Sequence, residues 1–278
     1  MTVPARLDRL SAVLEGAAPQ IHVCHTGEAA VAAQYAAERA NMLRLHLVTQ
    51  GQAWISAGDD ESECLSAPAI AVLRGDRAYV LTPDATSADG AAPTCQMCIE
   101  VRFEGPAGTL LLETFSRPLL MPLDDSAPEL ALIVKLIAHE VVQPRCGHPA
   151  LLARAGDILF IGLLRHLIAN RCATLGLLNG LSNQHIASAL VAMHSAPHLP
   201  WTLDTLAQEA GMSRTAFAVL FRQMMDRPPG SYLAQLRLSI ARRLVDNGHG
   251  LKRAAKDAGY ASTTALSRAL GRTHAAAD

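Results

Sequence analysis

Cys95 and Cys98, in Pro93-Thr94-Cys95-Gln96-Met97-Cys98, are the side chains of this 278-residue chain whose type and spacing most directly suggest chemistry. Two thiols at this separation can form a disulfide, hold a metal as thiolates, respond to an oxidant, or simply fill apolar space. The setting narrows the choice. Residues 1–10 lack the basic stretch and apolar run of a secretory signal, and no run approaches 18 uncharged apolar residues. Neither export nor a membrane span is expected, and the expected location is the cytoplasm. In that reducing compartment six cysteines are more often free, metal-bound or redox-active than paired in structural disulfides.

The elements that must position these thiols have a β texture up to about residue 115. "MLRLHLVTQGQAWISAG" (42–58) alternates apolar and polar residues on either side of Gln50-Gly51. "AIAVLRGDRAYVLT" (69–82) does so around Gly75-Asp76, and "CQMCIEVRF" (95–103) reads as a further strand. Short strands joined by glycine-containing turns suggest a small barrel or sandwich. In a regular strand Cys98 shares a face with Glu100 and Arg102, and Cys95 shares the other with Met97 and Ile99. The two thiols then diverge, unless Pro93-Thr94 keeps Cys95 in a turn or a bulge intervenes.

Beyond residue 127 the texture is helical. "APELALIVKLIAHEVV" (127–142) and "PALLARAGDILFIGLLRHLIANR" (149–171) read as two apolar helices, followed by a Gly/Asn-rich connector at 175–183. Their apolar surface exceeds what one small domain readily hides, so a homodimer through them is expected. His139 and His166 fit packing or surface positions in these patterns, and Cys64, Cys146 and Cys172 suggest no role. With half its residues apolar and 18% charged, the chain is an ordinary globular one, long enough for two domains.

Charge is unevenly distributed. Residues 181–278 hold 11 basic and 6 acidic side chains, whereas the other 180 hold 13 and 19. A basic half suggests a nucleic-acid partner. Within it "LAQEAGMSRTAFAVLFRQM" (from Leu206) and "AAKDAGYASTTALSRALGR" (from Ala254) repeat one pattern. In each, a small residue (Ala207, Ala255) precedes a turn glycine (Gly211, Gly259), and a serine (Ser213, Ser262) can cap the helix that follows. This is the requirement of a helix-turn-helix. In the helix after Ser213, Phe217, Leu220, Phe221 and Met224 are expected in the core. Thr215, Ala218, Val219 and Arg222 form the opposite face, with Arg214 beside them. Between the repeats, "PPGSYLAQLRLSIARRLVDNG" is a helix with Pro229 at its start and Gly248 after its end.

These residues resemble the DNA-binding domain of AraC-type bacterial transcription regulators, over about 183–270. The resemblance implies base-reading positions at Thr215, Ala218 and Val219 in the first motif and at Thr263, Thr264 and Arg268 in the second. It implies phosphate contacts at Arg214, Arg222 and Ser267. Double-stranded DNA is the implied partner, with RNA polymerase as a further one. Three features depart from the family pattern: Asp226 in place of a usual glycine, Leu266 and Leu270 in place of two phenylalanines, and a different tail, "GRTHAAAD".

In such proteins the other domain is usually a sensor, and the β texture is similar to a cupin barrel. The pattern is similar to that of cupin-containing regulators responsive to reactive chlorine species, on Cys24, His46 and the "TCxxC" of Cys95 and Cys98. That resemblance implies that Cys24, Cys95 and Cys98 share one redox-responsive site near His46, with Cys95 in the turn before its strand. It also implies zinc held by Cys24, His46, Cys95 and Cys98. Tyr79 stands where those relatives have histidine. The expected fold is therefore α+β: an N-terminal cupin-like β-barrel sensor (1–115), a helical linker and dimerisation pair (116–182), and an all-α double helix-turn-helix domain (183–278). Its expected function is sequence-specific transcription regulation through oxidant or metal. The alternatives are a barrel that binds a small organic effector and, more remotely, a cupin metalloenzyme, for which His46 lacks a neighbouring histidine.

Overall fold

The computed structural model describes residues 8–29, 31–57, 62–84, 94–123, 127–170 and 176–274, with side chains omitted at 25–29, 94–96 and 273–274. Cys172 lies outside the described residues, as does the side chain of Cys95. Contacts divide the chain into two units, one of residues 19–102 and 115–166 and the other of 1–18, 103–114 and 167–278.

The first unit holds two antiparallel sheets. Five strands run in the order β1 (Pro19–Ala29), β8 (Thr94–Phe103), β3 (Met42–Gln50), β6 (Ala69–Arg74) and β9 (Leu119–Pro122). Four others run β2 (Ala33–Tyr35), β7 (Tyr79–Pro83), β4 (Gln52–Ser56) and β5 (Glu63–Ser66). The turns at Gln50-Gly51 and Gly75-Asp76 are where expected, but each carries the chain from one sheet to the other. Gly51 takes φ 72° to do so. Val48, Ala71 and Leu73 of the first sheet meet Ala53, Ile55, Tyr79 and Leu81 of the second in one core. Helix α3 (Pro128–Val142) and, as far as His166, α4 (His148–Ala169) belong to this unit. α3 packs on β3 and β1, so Leu43, Leu45 and Leu47 are buried beneath it. Gly156 of α4 lies against Ile21, and Gly162 lets α4 approach Leu130 of α3.

The second unit is helical. It contains α1 (Arg9–Ala17), α2 (Gly108–Leu112), α5 (Leu177–Ser182) and α6 (Gln184–Ser195). It continues with α7 (Leu203–Glu209), α8 (Arg214–Met225), α9 (Pro229–Asp246), α10 (Leu251–Asp257) and α11 (Thr263–His274). The expected connector at 175–183 is largely the helix α5, whose Leu177, Leu178 and Leu181 are buried. Contacts thus draw the borders differently from the expected 115 and 182. Strand β9 pairs with β6 after residue 115, while α1, α2 and α5 bury their apolar sides among the C-terminal helices.

Candidate functional site

On β3, odd-numbered side chains face the helices, so the even-numbered Arg44, His46 and Val48 point into the barrel. The alternation seen in the sequence thus places the polar residues inside. His46 lies opposite Cys98 on β8 and Ala71 on β6, and Arg44 lies opposite Glu100. Residues directly opposite one another share a face, so these side chains form rows across the sheet. Arg44, His46, Cys98 and Glu100 are all buried. Arg44 pairs with Glu38 at 2.7 Å and Glu100 at 3.6 Å, and donates to the Ala36 carbonyl at 3.1 Å. Its guanidinium also lies 5.5 Å from the centre of the Tyr35 ring. Glu100 pairs with Arg102 at 2.6 Å. Sequence reasoning missed Arg44, Glu100 and Tyr35. The signal was present: opposite charges in two strands that otherwise read as apolar.

His46 Nε2 is 2.6 Å from the Tyr79 hydroxyl, and Tyr35 stacks on Tyr79 with ring centres 4.8 Å apart. Burial pushes the Tyr79 phenol well up and that of Tyr35 to about 12, so both stay protonated.

Cys24 is exposed and stands on β1, the edge strand next to β8. Its thiol donates to the Cys98 carbonyl at 3.1 Å. A hydrogen bond from the Cys98 thiol lowers the Cys24 pKa; burial and the Glu100 carboxylate oppose this, and Arg44 assists. The same bond, with burial and the nearby charges of Cys24 and Glu100, pushes Cys98 up. The surroundings therefore favour ionisation at the outer thiol over the buried one. Cys95 is the second residue of β8, not in a turn before it. Its backbone lies opposite Gln50, next to an irregularity between Val48 and Gln50. The extra residue falls on β3, so the strand continues through Cys95 despite Pro93.

The expected zinc set includes Cys95, whose side chain lies outside the described residues. One nitrogen of His46 is engaged by Tyr79. Among the described residues no three His, Cys, Asp or Glu side chains are arranged to hold a metal. The chemistry available is that of an accessible thiol held against the backbone of a buried one.

The helical unit presents a second surface. In both motifs the turn closes with the same hydrogen bonds. Gly211 N–H donates to Gln208 O and Met212 N–H to Ala207 O, each at 2.9 Å. Gly259 N–H donates to Lys256 O at 3.1 Å and Tyr260 N–H to Ala255 O at 2.8 Å. Both glycines take positive φ, 63° and 78°. At Gly259 a Cβ would also lie 2.7 Å from the backbone of His198. Ser213 and Ser262 accept from Ala216 N–H and Ala265 N–H at 3.3 and 3.1 Å, which caps α8 and α11.

In α8, Phe217 and Phe221 are buried as expected, whereas Leu220 and Met224 are half-buried and Met225 completes the core. The buried row runs i, i+4, i+8 through Phe217, Phe221 and Met225, on a helix that packs chiefly on α7 and α5. Thr215, Val219 and Arg222 are exposed and Ala218 is half-buried. Arg214 is exposed and 3.6 Å from Asp204. In α11, Thr263, Thr264, Ser267 and Arg268 are all exposed, while Leu266 is buried with Ala241, Ala254, Ala255 and Ala258. A cleft of about 780 Å³ at the start of α11 is lined by Lys252, Lys256, Ser262 and Thr263. These two lysines, overlooked in the sequence, supply cations beside a helix N-terminus, a setting suited to a phosphate.

Two helix-turn-helix motifs carried on one connecting helix, in a chain that also holds a double-sheet barrel, define a two-part DNA-binding regulator. A family model described as Cupin matches residues 8–169, and one described as Helix-turn-helix domain matches 206–277. The HTH-type transcriptional regulator AlkR of Acinetobacter baylyi is 28% identical over 81% of this chain and 74% of its own length. RclR of Escherichia coli K12, named an RCS-specific HTH-type transcriptional activator, is 26% identical over 84% of this chain and 81% of its own. Fatty-acid-bound ToxT of Vibrio cholerae aligns over 92% of this chain and 91% of its own at 10% identity, with a TM-score of 0.39. The chain belongs to the cupin family, as an AraC-type DNA-binding transcription regulator with an N-terminal cupin domain. Its relatives are named as regulators, not enzymes. Among the described residues no helix is long and apolar enough to cross a membrane.

Proposed function

We propose that this regulator senses an oxidant such as hypochlorous acid through Cys24, with Cys98 as the resolving thiol. The observation that carries the reading is the pair itself: an exposed Cys24 thiol 3.1 Å from the backbone of buried Cys98, with the ionised form favoured at the outer position. The Cys24 thiolate attacks the chlorine of hypochlorous acid, giving a sulfenyl chloride and hydroxide. The Cys98 thiol then attacks Cys24 sulfur, forming the disulfide and releasing chloride and a proton. Chlorine is reduced and the two sulfurs are oxidised. Cys24 and Cys98 stand on the adjacent strands β1 and β8, which favours the pairing. The resemblance to RclR, whose name carries the same specificity, also supports the reading.

A homodimer through α3 and α4 completes the proposal. Leu132 and Leu136, one turn apart on α3, are 67% and 47% exposed, and Ile158 on α4 is 55% exposed. RNA polymerase is the further partner by which such a regulator would act. The organic-effector reading has no comparable support, since Arg44, the buried cation of the barrel, is engaged by Glu38, Glu100 and Ala36.

The test titrates purified full-length protein with hypochlorite while DNA binding is followed. Zinc per chain is measured first by elemental analysis. The expected result is a change in DNA affinity together with a Cys24–Cys98 disulfide found by mass spectrometry. Cys24→Ser should lose both, and Cys98→Ser should leave Cys24 oxidised without a partner. A Cys24→Ser protein that responds like the parent would overturn the reading.

A further inference from the structure

We propose that the first helix-turn-helix reads its half of the DNA site by apolar contact with thymine methyl groups, through Ala218 and Val219. The inference rests on the assignment of α8 to the major groove and adds the chemistry of the bases it selects. Four residues form the outward face of α8: Thr215, Ala218, Val219 and Arg222. The two central ones have no side-chain atom that can donate or accept a hydrogen bond. Val219 is 53% exposed. Ala218, Val219 and Arg222 also border a groove of about 440 Å³ whose wall includes Trp201, Leu206 and Leu233. The surface offered at the centre of the reading face is therefore apolar and continuous with an apolar wall.

In the major groove each base pair offers a distinct edge, and thymine alone adds a methyl group. A guanine placed against Ala218 and Val219 would lose water from its N7 and O6 acceptors and gain no donor in return. A thymine there covers exposed apolar surface with its own. The second motif has the opposite chemistry: Thr263, Thr264, Ser267 and Arg268 are exposed, and every one carries a hydrogen-bond donor. The two helices should thus divide the site into a thymine-selecting half and a half read by hydrogen bonds, with guanine favoured opposite Arg268.

The experiment selects binding sites from a random duplex pool with the full-length protein, then replaces single thymines by deoxyuridine. This removes the methyl group and leaves every hydrogen-bonding group in place. One or two such replacements, confined to one half of the site, are expected to weaken binding by about three- to fivefold each. Val219→Ser should erase that sensitivity and Arg268→Ala should preserve it. Both side chains are exposed, and thermal melts check that the variants remain folded. A protein that selects no sequence would remove the DNA reading on which the inference stands. Selective binding with deoxyuridine neutral at every position, or with its effect intact in both Val219→Ser and Ala218→Ser, would overturn the inference alone.

Discussion

His194 on α6 donates to or accepts from the Tyr232 hydroxyl at 2.8 Å, and burial lowers its pKa to about 4. In the unfolded chain the ring titrates near its ordinary value of about 6.5. As pH falls below that value the unfolded chain takes up a proton that the folded chain refuses until about 4. Stability of the helical unit is therefore full above pH 6.5 and declines through this window. The ring keeps some exposure, so we expect a loss of about 2 kcal/mol, less than the roughly 3 that the full shift implies. His194→Gln, which retains a hydrogen-bond partner for Tyr232, should flatten this part of the pH profile in urea denaturation between pH 7 and 4. Such a site is invisible in sequence, because nothing local distinguishes a histidine that will be desolvated from one on a surface. The barrel site was half legible for the same reason. Cys24, His46 and Cys98 could be named: His46 lies opposite Cys98, whose carbonyl accepts from Cys24. The occupation of His46 by Tyr79, and the charges of Arg44 and Glu100 beside it, depend on which face of β3 turns inward. Period-two alternation does not decide that when both faces are covered.

Helix ends are where this chain can be adjusted without touching a contact. Asp226 caps α8 in the left-handed region, with φ 55° and ψ 18°. A side chain there costs energy that glycine avoids. Asp226→Gly is expected to stabilise the protein by about 0.5 to 1 kcal/mol, visible as a higher urea midpoint with an unchanged slope. The helices of the second unit were legible because their signals are local: glycines at positive φ, serine caps and an apolar stripe of period 3.6. The strands were less so. β1, β2, β5 and β9 were not recognised, being short, polar or at sheet edges, and their pairing is set by partners distant in sequence. Cys95 was placed in a turn because Pro93 signals one, yet the ladder with β3 reaches it.

At the level of the whole molecule, assembly is the first question. Leu132→Asp combined with Leu136→Asp should leave the fold intact, because both side chains lie on the open side of α3. If α3 forms the dimer face, light scattering at micromolar concentration should show the parent as a dimer and this variant as a monomer. A parent that is monomeric at every concentration would remove the dimer from the proposal.

The division into units has a consequence for how the protein is made. The backbone passes from one unit to the other at 18–19, 102–103, 114–115 and 166–167. Helix α1 emerges from the ribosome well before α6, yet Leu10, Val13 and Ala17 belong to the unit that contains α6. Arg9 bonds to the Leu181 carbonyl, 172 positions later. At ordinary rates of synthesis, α1 waits on the order of ten seconds or more for its partner. Throughout that interval its apolar stripe is uncovered, while the barrel that follows has already received its strands. The nascent chain therefore carries a sticky helix until α6 has been made. A truncation beginning at residue 183 would carry the reciprocal defect, an α6 without the helix that covers it.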